Sequence, residues 1–374
     1  MHIVADENLS LTDYFFSSFG TVTTLAGRGM TAEHLINTDA LLVRSVTKVT
    51  PQLLKAAAEQ SITAQRIGFV GSATIGTDHL DVVGLQERGV VVANAPGCNA
   101  QAVAEYVVTA ILTLHPERAA NEGFTLGIVG LGNVGKRLIR LAKRLGWRVI
   151  GVDPFIVCDE IEQMELTEML PQADVVSFHV PITESGSEPT YHLMNDATFA
   201  LLKPNAMLIN SARGAVIEEA VLLADFAHSK AKGVKVRSVV LDVFEHEPQI
   251  SAKLLDDLAL ATPHIAGYSL EGKARGTEMI YHAFCKWQGI EPKLTLENML
   301  PVMPKIIDPN KKLIEQLPTL LPTLYPIRED DAALRACLRV DEKSNESMVD
   351  AASFDRLRKE YNLRREWTSY GDQA

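Results

Sequence analysis

Three glycines behind one apolar run constrain this chain more than any other feature. The segment GIVGLGNVGKR sets Gly130, Gly132 and Gly135 as G-x-G-x-x-G, directly after FTLGIV and at the head of a helical pattern. The spacing alone is weak. With a strand before it and a helix after it, the glycines permit a tight turn and bring backbone N–H groups to a pyrophosphate at the helix N-terminus. Asp153 closes the next strand-like run, VIGVD, near the ~20-residue offset at which a carboxylate meets the adenosine ribose hydroxyls. A carboxylate there repels a 2′-phosphate, so NAD is expected rather than NADP.

The rest of the chain fits a fold built around such a loop. HIVAD, ALLVRS, RIGFVG and VVVANAP read as strands, with PQLLKAAAEQ as a helix opened by proline. After a long helical stretch, NAQAVAEYVVTAILTLH, the alternation restarts with FTLGIVG, WRVIGVD, DVVSFHV, AMLINSA, SVVLDVF and LALATP. Strand and helix alternating twice over predict two α/β domains, each a doubly wound, Rossmann-like or flavodoxin-like parallel sheet covered on both faces. Beyond Gly289 the texture changes. Prolines cluster in LPVMPKIIDP and LPTLLPTLYP, and the end, FDRLRKEYNLRREW, is charged and helical in pattern. This predicts a smaller C-terminal unit of α+β type.

Composition excludes several classes. A net charge of −11 over 374 residues gives no general nucleic-acid or anionic-membrane binder, though one pocket can still be positive. No apolar run reaches the ~20 residues that a membrane helix needs. The N-terminus, MHIVADENLS, lacks the basic start and apolar stretch of a secretory signal. Cys98, Cys158, Cys285 and Cys337 are scattered and form no C-x-x-C pair, which fits a reducing cytoplasm. No histidine pair has H-E-x-x-H spacing, so no metal is expected.

Ligands of open α/β sheets lie beyond the carboxyl ends of the strands. Three late strands deliver polar residues there. LINSARGA brings Arg213, VVLDVFEHEP brings Asp242, Glu245, His246 and Glu247, and LATPHIAG brings His264. Singly, each is more often a surface charge or a satisfied strand-end histidine. Together, behind a dinucleotide loop, they make a chemical set. A guanidinium holds a carboxylate through two parallel hydrogen bonds. A histidine transfers protons near neutral pH, and a carboxylate behind it orients the ring and favours its charged form. With a nicotinamide present, the reaction expected is hydride transfer at a hydroxyl-bearing carbon next to a carboxylate. Glu247, before Pro248, is the carboxylate assigned to this set; Glu245 and His246 are expected to face solvent.

At this point the residues resemble those of the D-isomer-specific 2-hydroxyacid dehydrogenases. VRSVTKVT, NAPGCNAQAVAEYV, GIVGLGNVGK, NSARGAVIEEA, LDVFEHEP and TPHIAG stand in that family's order over roughly the first 285 residues. The resemblance implies that Arg213 and Glu247 are catalytic and that His264 is the proton donor. It implies NAD contacts at Asp153, Asp242 and Gly267, with Asn133 and Val134 against the pyrophosphate. It implies substrate contacts at Ser45, Ser72 and Tyr268. At Val180 the family's threonine is missing, so only a backbone contact would survive there. The segments FVGSATIGTDHLD and PHIAGYSLEGKARGT point within the family to a member that acts on a small phosphorylated hydroxy acid. Arg44, beside Ser45, is a reasonable phosphate partner.

The resemblance also implies a discontinuous chain path. Residues 1–95, completed by 266–288, would form a substrate-binding lid domain, and 96–265 the NAD-binding Rossmann domain. Residues 289–374 would form a C-terminal dimerisation domain that makes a homodimer. Two other readings remain open at this stage. One is a dehydrogenase for another 2-hydroxy acid such as 3-phosphoglycerate. The other is a binding protein on the same fold that answers to NAD occupancy.

Overall fold

The structure, a computed structural model, describes residues 1–61, 66–340 and 346–372. Its backbone divides into two units, Met1–Asn99 with Ser269–Val302, and Ala100–Tyr268 with Met303–Ala374.

In the first unit β1 (His2–Asp6), β2 (Thr21–Leu25), β3 (Ala40–Val43), β4 (Phe69–Ser72) and β5 (Val91–Ala93) form one sheet in the order β2-β1-β3-β4-β5, with every pair parallel. Period-two alternation sends Ile3, Ala5 and Leu42 to one face and Val4, Leu41 and Val43 to the other. Both faces are covered, so the central strands are apolar throughout rather than alternating with polar residues. The helix Leu270–Gln288 returns to this unit and sets Ile280 and Phe284 against Phe16 and Phe69. Its approach is close at Gly71, where a Cβ would lie 2.4 Å from Ile280 Cγ2. The threonine-rich β2, TVTTL, is an edge strand with little apolar signal and is legible only in the structure.

The second unit holds β6 (Thr125–Val129), β7 (Arg148–Val152), β8 (Glu162–Gln163), β9 (Val175–Phe178), β10 (Met207–Asn210), β11 (Val239–Leu241) and β12 (Leu260–Ala261). Their order is β12-β11-β10-β9-β6-β7-β8, again parallel. The chain winds outward one way from β6 and the other way from β9. The carboxyl ends of these two neighbours are therefore the topological switch point, where such sheets bind ligands. The helix Ala100–Leu114 is buried from Ala100 to Leu112; its sequence is mostly small and apolar, with Gln101, Glu105 and Thr109 buried among the rest.

Residues Met303–Asp372 pack onto this second unit. The helix Leu313–Leu324 runs through Pro318 and Pro322. Both prolines are exposed, while Leu313, Leu317, Leu321 and Leu324 make the buried stripe that holds the helix in place. A short antiparallel pair, β13 (Leu338–Val340) and β14 (Ser347–Val349), precedes the helix Ala351–Lys359. The charged tail is helical only as far as Lys359. Beyond it the backbone is pulled into tertiary bonds instead, the Trp367 N–H donating to Glu105 Oε1 at 2.9 Å.

Candidate active site

The glycine loop leaves β6 at the switch point. Gly130 has φ +94°, and a Cβ there would lie 2.7 Å from the His179 carbonyl oxygen. A Cβ on Gly135 would lie 2.2 Å from the Gly130 carbonyl oxygen. Neither site admits a side chain. Gly132 differs, because a Cβ would meet nothing within 4 Å. It is the N-cap of the helix Asn133–Arg144, without a side-chain cap bond. The first N–H groups of a helix have no partner inside it, so Asn133 and Val134 begin an uncapped, sterically open N-terminus that suits a pyrophosphate. Asp153, at the end of β7, accepts from Leu131 N–H at 2.8 Å and from the Phe155 and Ile156 N–H groups at 2.9 and 3.0 Å. A carboxylate has about four lone-pair sites, so capacity for a ribose hydroxyl remains. Val180, beyond β9, packs its side chain against the apolar cluster around Phe178. Beside it burial pushes the His179 ring down to about 3, so it is neutral at physiological pH.

The ends of β10, β11 and β12 are adjacent, and each carries one of the expected groups. Asn210 shapes the first turn, accepting from Ala212 N–H at 3.1 Å and donating to the Arg213 carbonyl at 2.9 Å. Arg213 Nη1 donates to the Ala212 carbonyl at 2.8 Å. The next residue abuts the following loop: a Cβ on Gly214 would fall 1.9 Å from the Phe244 carbonyl carbon. After β11, Asp242 is buried and accepts from Thr262 Oγ1 at 2.6 Å, Ile265 N–H at 2.7 Å and Ala266 N–H at 2.9 Å. Burial pushes its carboxyl up even against these bonds and the nearby His264. Asp242 thus ties the end of β11 to the chain on either side of His264. Thr262 spends its proton on Asp242, so the Tyr106 hydroxyl, 2.8 Å away, donates to it.

His264 has φ +57°, in the left-handed region that costs a non-glycine residue about 1–2 kcal/mol. Its N–H donates to the Asp242 carbonyl at 2.8 Å, and its Nδ1 lies 3.0 Å from Glu247 Oε2. Glu247 Oε1 accepts from the Phe244 N–H at 2.9 Å, which leaves its other oxygen to the ring. Burial opposes ionisation of Glu247. The His264 charge and hydrogen bond, the Phe244 N–H and the Arg358 guanidinium outweigh it, and the carboxyl lies below its usual range. Nδ1 is held by the carboxylate, so Nε2 is the nitrogen left for substrate.

Glu245 does not face solvent as expected. It accepts from the Glu219 N–H at 2.8 Å and pairs with His192 Nε2 at 2.6 Å. Those partners are 26 and 53 positions away, beyond any local pattern. His246 is exposed. Past His264, Gly267 is partly exposed, and Tyr268 N–H bonds the Ile265 carbonyl at 2.8 Å. The Tyr268 ring meets Tyr361 edge-on at 5.9 Å. Arg364 secures this loop from the C-terminal segment, donating to the carbonyls of Ile265, Ala266 and Tyr268 and to that of Ala102. Its guanidinium also lies over the Tyr325 ring at 4.3 Å. Sequence inspection gave no sign of Arg364, because its partners are carbonyls some hundred positions earlier.

In the first unit Ser45 is exposed just beyond β3. Ser72 ends the neighbouring β4, in register with Val43, and is wholly buried. Its hydroxyl lies 2.7 Å from Thr74 Oγ1 and 2.9 Å from His79 Nε2. Thr74 donates to the Gly76 carbonyl at 3.0 Å, so Ser72 must donate to Thr74, and His79 Nε2 must carry the proton given to Ser72. Burial pushes the His79 ring down despite the nearby Asp78, in keeping with a neutral donor. The chain of bonds stiffens the GSATIG turn.

Known proteins share both the pattern and the architecture. A family model described as the D-isomer specific 2-hydroxyacid dehydrogenase, NAD binding domain, matches residues 114–266, and a domain of unknown function, DUF3410, matches 304–371. An erythronate-4-phosphate dehydrogenase of Acinetobacter baumannii (strain AYE) is 52% identical over 372 residues, covering 99% of both chains. The chain belongs to the erythronate-4-phosphate dehydrogenase family. Another member, from Psychrobacter cryohalolentis, is 42% identical over 98% of this chain and 96% of its own. The fold extends further. A D-lactate dehydrogenase of Aquifex aeolicus, solved with NAD and lactic acid, superimposes with a TM-score of 0.61 at 22% identity, covering 77% of this chain and 96% of that one. A cofactor-bound 3-phosphoglycerate dehydrogenase of Entamoeba histolytica gives 0.62 at 21% identity over 79% and 98%. Residues 114–266, which carry the glycine loop and the three strand ends, are an NAD-binding dehydrogenase domain.

Proposed function

We propose that the chain oxidises 4-phospho-D-erythronate at C2 to (R)-3-hydroxy-2-oxo-4-phosphooxybutanoate, a step of pyridoxal 5′-phosphate (vitamin B6) biosynthesis. The observation that carries the chemistry is the His264–Glu247 pair, 3.0 Å apart at the ends of adjacent strands of the NAD-binding sheet. The family supplies the substrate.

NAD, when bound, supplies the hydride acceptor. Gly130, Gly132, Asn133, Val134 and Gly135 would hold its pyrophosphate and Asp153 its adenosine ribose, and Asp242 and Gly267 would make further contacts with it. His264 Nε2 takes the proton of the C2 hydroxyl as the carbonyl forms, and returns it in the reverse direction. Glu247 fixes the ring by its other nitrogen and balances the charge it gains. Arg213 holds the substrate carboxylate through a bidentate pair and polarises the oxygen at C2. Ser45, Ser72 and Tyr268 are assigned to substrate; the hydroxyl of Ser72 is engaged within the protein, so its contribution is through the backbone of the GSATIG turn. The C-terminal segment is assigned to a homodimer and the enzyme to the cytoplasm.

Replacing His264 with Gln keeps the shape of the side chain and removes the proton carrier. Turnover of 4-phosphoerythronate by that variant should fall roughly 100- to 10,000-fold with NAD affinity little changed. A variant that turned over like the parent would sink the mechanism.

A further inference from the structure

The segment matched only by a domain of unknown function reaches the loop that carries His264, within its own unit. Residues 264–268 belong to no helix or strand, so their backbone groups need partners from elsewhere. Two side chains of opposite charge supply them. The Asp242 carboxylate accepts from the Ile265 and Ala266 N–H groups, and the Asp242 carbonyl accepts from the His264 N–H. Arg364 serves the carbonyls instead. Its Nη1 donates to Ile265 at 3.1 Å and to Tyr268 at 3.2 Å, and its Nη2 donates to Ala266. Ile265 and Ala266 are buried, so their carbonyls depend on donors within the protein.

Both side chains are referred to one helix, Ala100–Leu114. Arg364 Nη2 also donates to the Ala102 carbonyl at 3.1 Å. Four positions on, the Tyr106 hydroxyl donates to Thr262, which donates to Asp242. Arg364 is itself held. It is buried, its guanidinium lies over the Tyr325 ring at 4.3 Å, and three residues on the Trp367 N–H donates to Glu105 of the same helix. This bears on His264 because its backbone stands at φ +57°. A residue other than glycine stays in that region only where its surroundings over-determine it. Asp242 fixes the amide groups there, and Arg364 fixes the carbonyls of the peptide units that follow.

We propose that Arg364 is a positioning residue of the reaction: from the C-terminal segment of the same chain it holds the backbone of residues 264–268, so that His264 keeps the orientation in which Nε2 meets the substrate hydroxyl. Arg364 acts through the backbone and not on the substrate. The C-terminal segment then has a duty in the active centre of its own chain, beside the assembly assigned to it. The inference rests on the reading of His264 as the proton carrier.

Single-turnover NADH formation by the full chain tests it, with NAD saturating and with whichever 2-hydroxy acid the parent turns over fastest. R364K keeps the charge, but its donors diverge from one nitrogen and cannot span four carbonyls. Its rate should fall roughly 10- to 100-fold while the Kd for NAD and the oligomeric state hold. R364A should be slower still, and millimolar guanidinium chloride should restore part of its rate; if R364A does not fold, R364K decides alone. D372N breaks the pair with Arg144 at the end of the same segment, away from this loop. It should lower the urea midpoint and keep the parent's rate. An R364K variant as fast as the parent would overturn the proposal. So would a D372N variant that loses rate in step with its midpoint as R364K does, because the loss would then follow stability alone. H264Q separates the two readings. If it is as fast as the parent, the proton-carrier reading falls and this proposal with it; a slow H264Q beside a fast R364K overturns this proposal alone.

Discussion

At the residue scale the centre depends on carboxylates whose two oxygens have separate duties. Glu247 gives one oxygen to the Phe244 N–H and the other to His264. Asp242 gives Oδ1 to Thr262 and Ile265 and Oδ2 to Ala266. Asparagine at 242 offers one acceptor oxygen, and its amide would face an N–H donor. Asp242→Asn should therefore cost about 1–3 kcal/mol of stability by urea denaturation, and should lower turnover because His264 is fixed by the same loop. A variant as stable and active as the parent would show that the carboxylate is dispensable. The residues legible in the sequence were those whose duty is local. Gly130 must take positive φ, and His264 and Glu247 stand at the ends of readable strands. Glu245 was misjudged because its partner His192 lies 53 positions away, and Arg364 was invisible because the loop carbonyls it meets lie about a hundred positions earlier.

At the scale of elements, the helix Ala100–Leu114 carries an unusual cost. Glu105 is 1% exposed, and burial and the neighbouring Glu366 raise its carboxyl well above the usual range, against the bonds from Gln101 and Trp367. The folded chain therefore holds this proton to higher pH than the unfolded chain does. Below the ordinary glutamate value of about 4.3, both states are protonated and nothing is lost; as pH rises past it the unfolded state ionises first and stability falls. Glu105→Gln keeps an oxygen for both donors, 2.9 Å away in each case, and removes the titration. Its thermal midpoint should exceed the parent's at pH 8 by more than at pH 5. An equal difference at both would mean that Glu105 is ionised throughout. The helix itself was plain from its sequence, and so were the strands of both sheets that carry continuous apolar runs. The edge strand β2 was not, because TVTTL is too polar to signal burial. The proline-bearing helix Leu313–Leu324 was not, because prolines at exposed positions weigh against a helix that its leucine stripe holds in place.

At the scale of the whole molecule, the fold positions a reaction class more firmly than a substrate. The seven-stranded sheet brings the glycine loop to its switch point and sets three polar strand ends side by side. Any 2-hydroxy acid dehydrogenase of this architecture needs that much. From the C-terminal segment Arg364 donates to the Tyr268 carbonyl and so fixes the loop that follows His264. The measurement that tests the account most directly is NADH formation, followed by absorbance, with 4-phosphoerythronate, 3-phosphoglycerate and D-lactate offered separately. A 2-oxo acid acceptor is supplied in parallel so that tightly held NADH cannot mask turnover. The account predicts the highest kcat/KM with 4-phosphoerythronate. A preference for either of the other acids would contradict the substrate assignment, and silence on all three from a folded protein would contradict the enzyme.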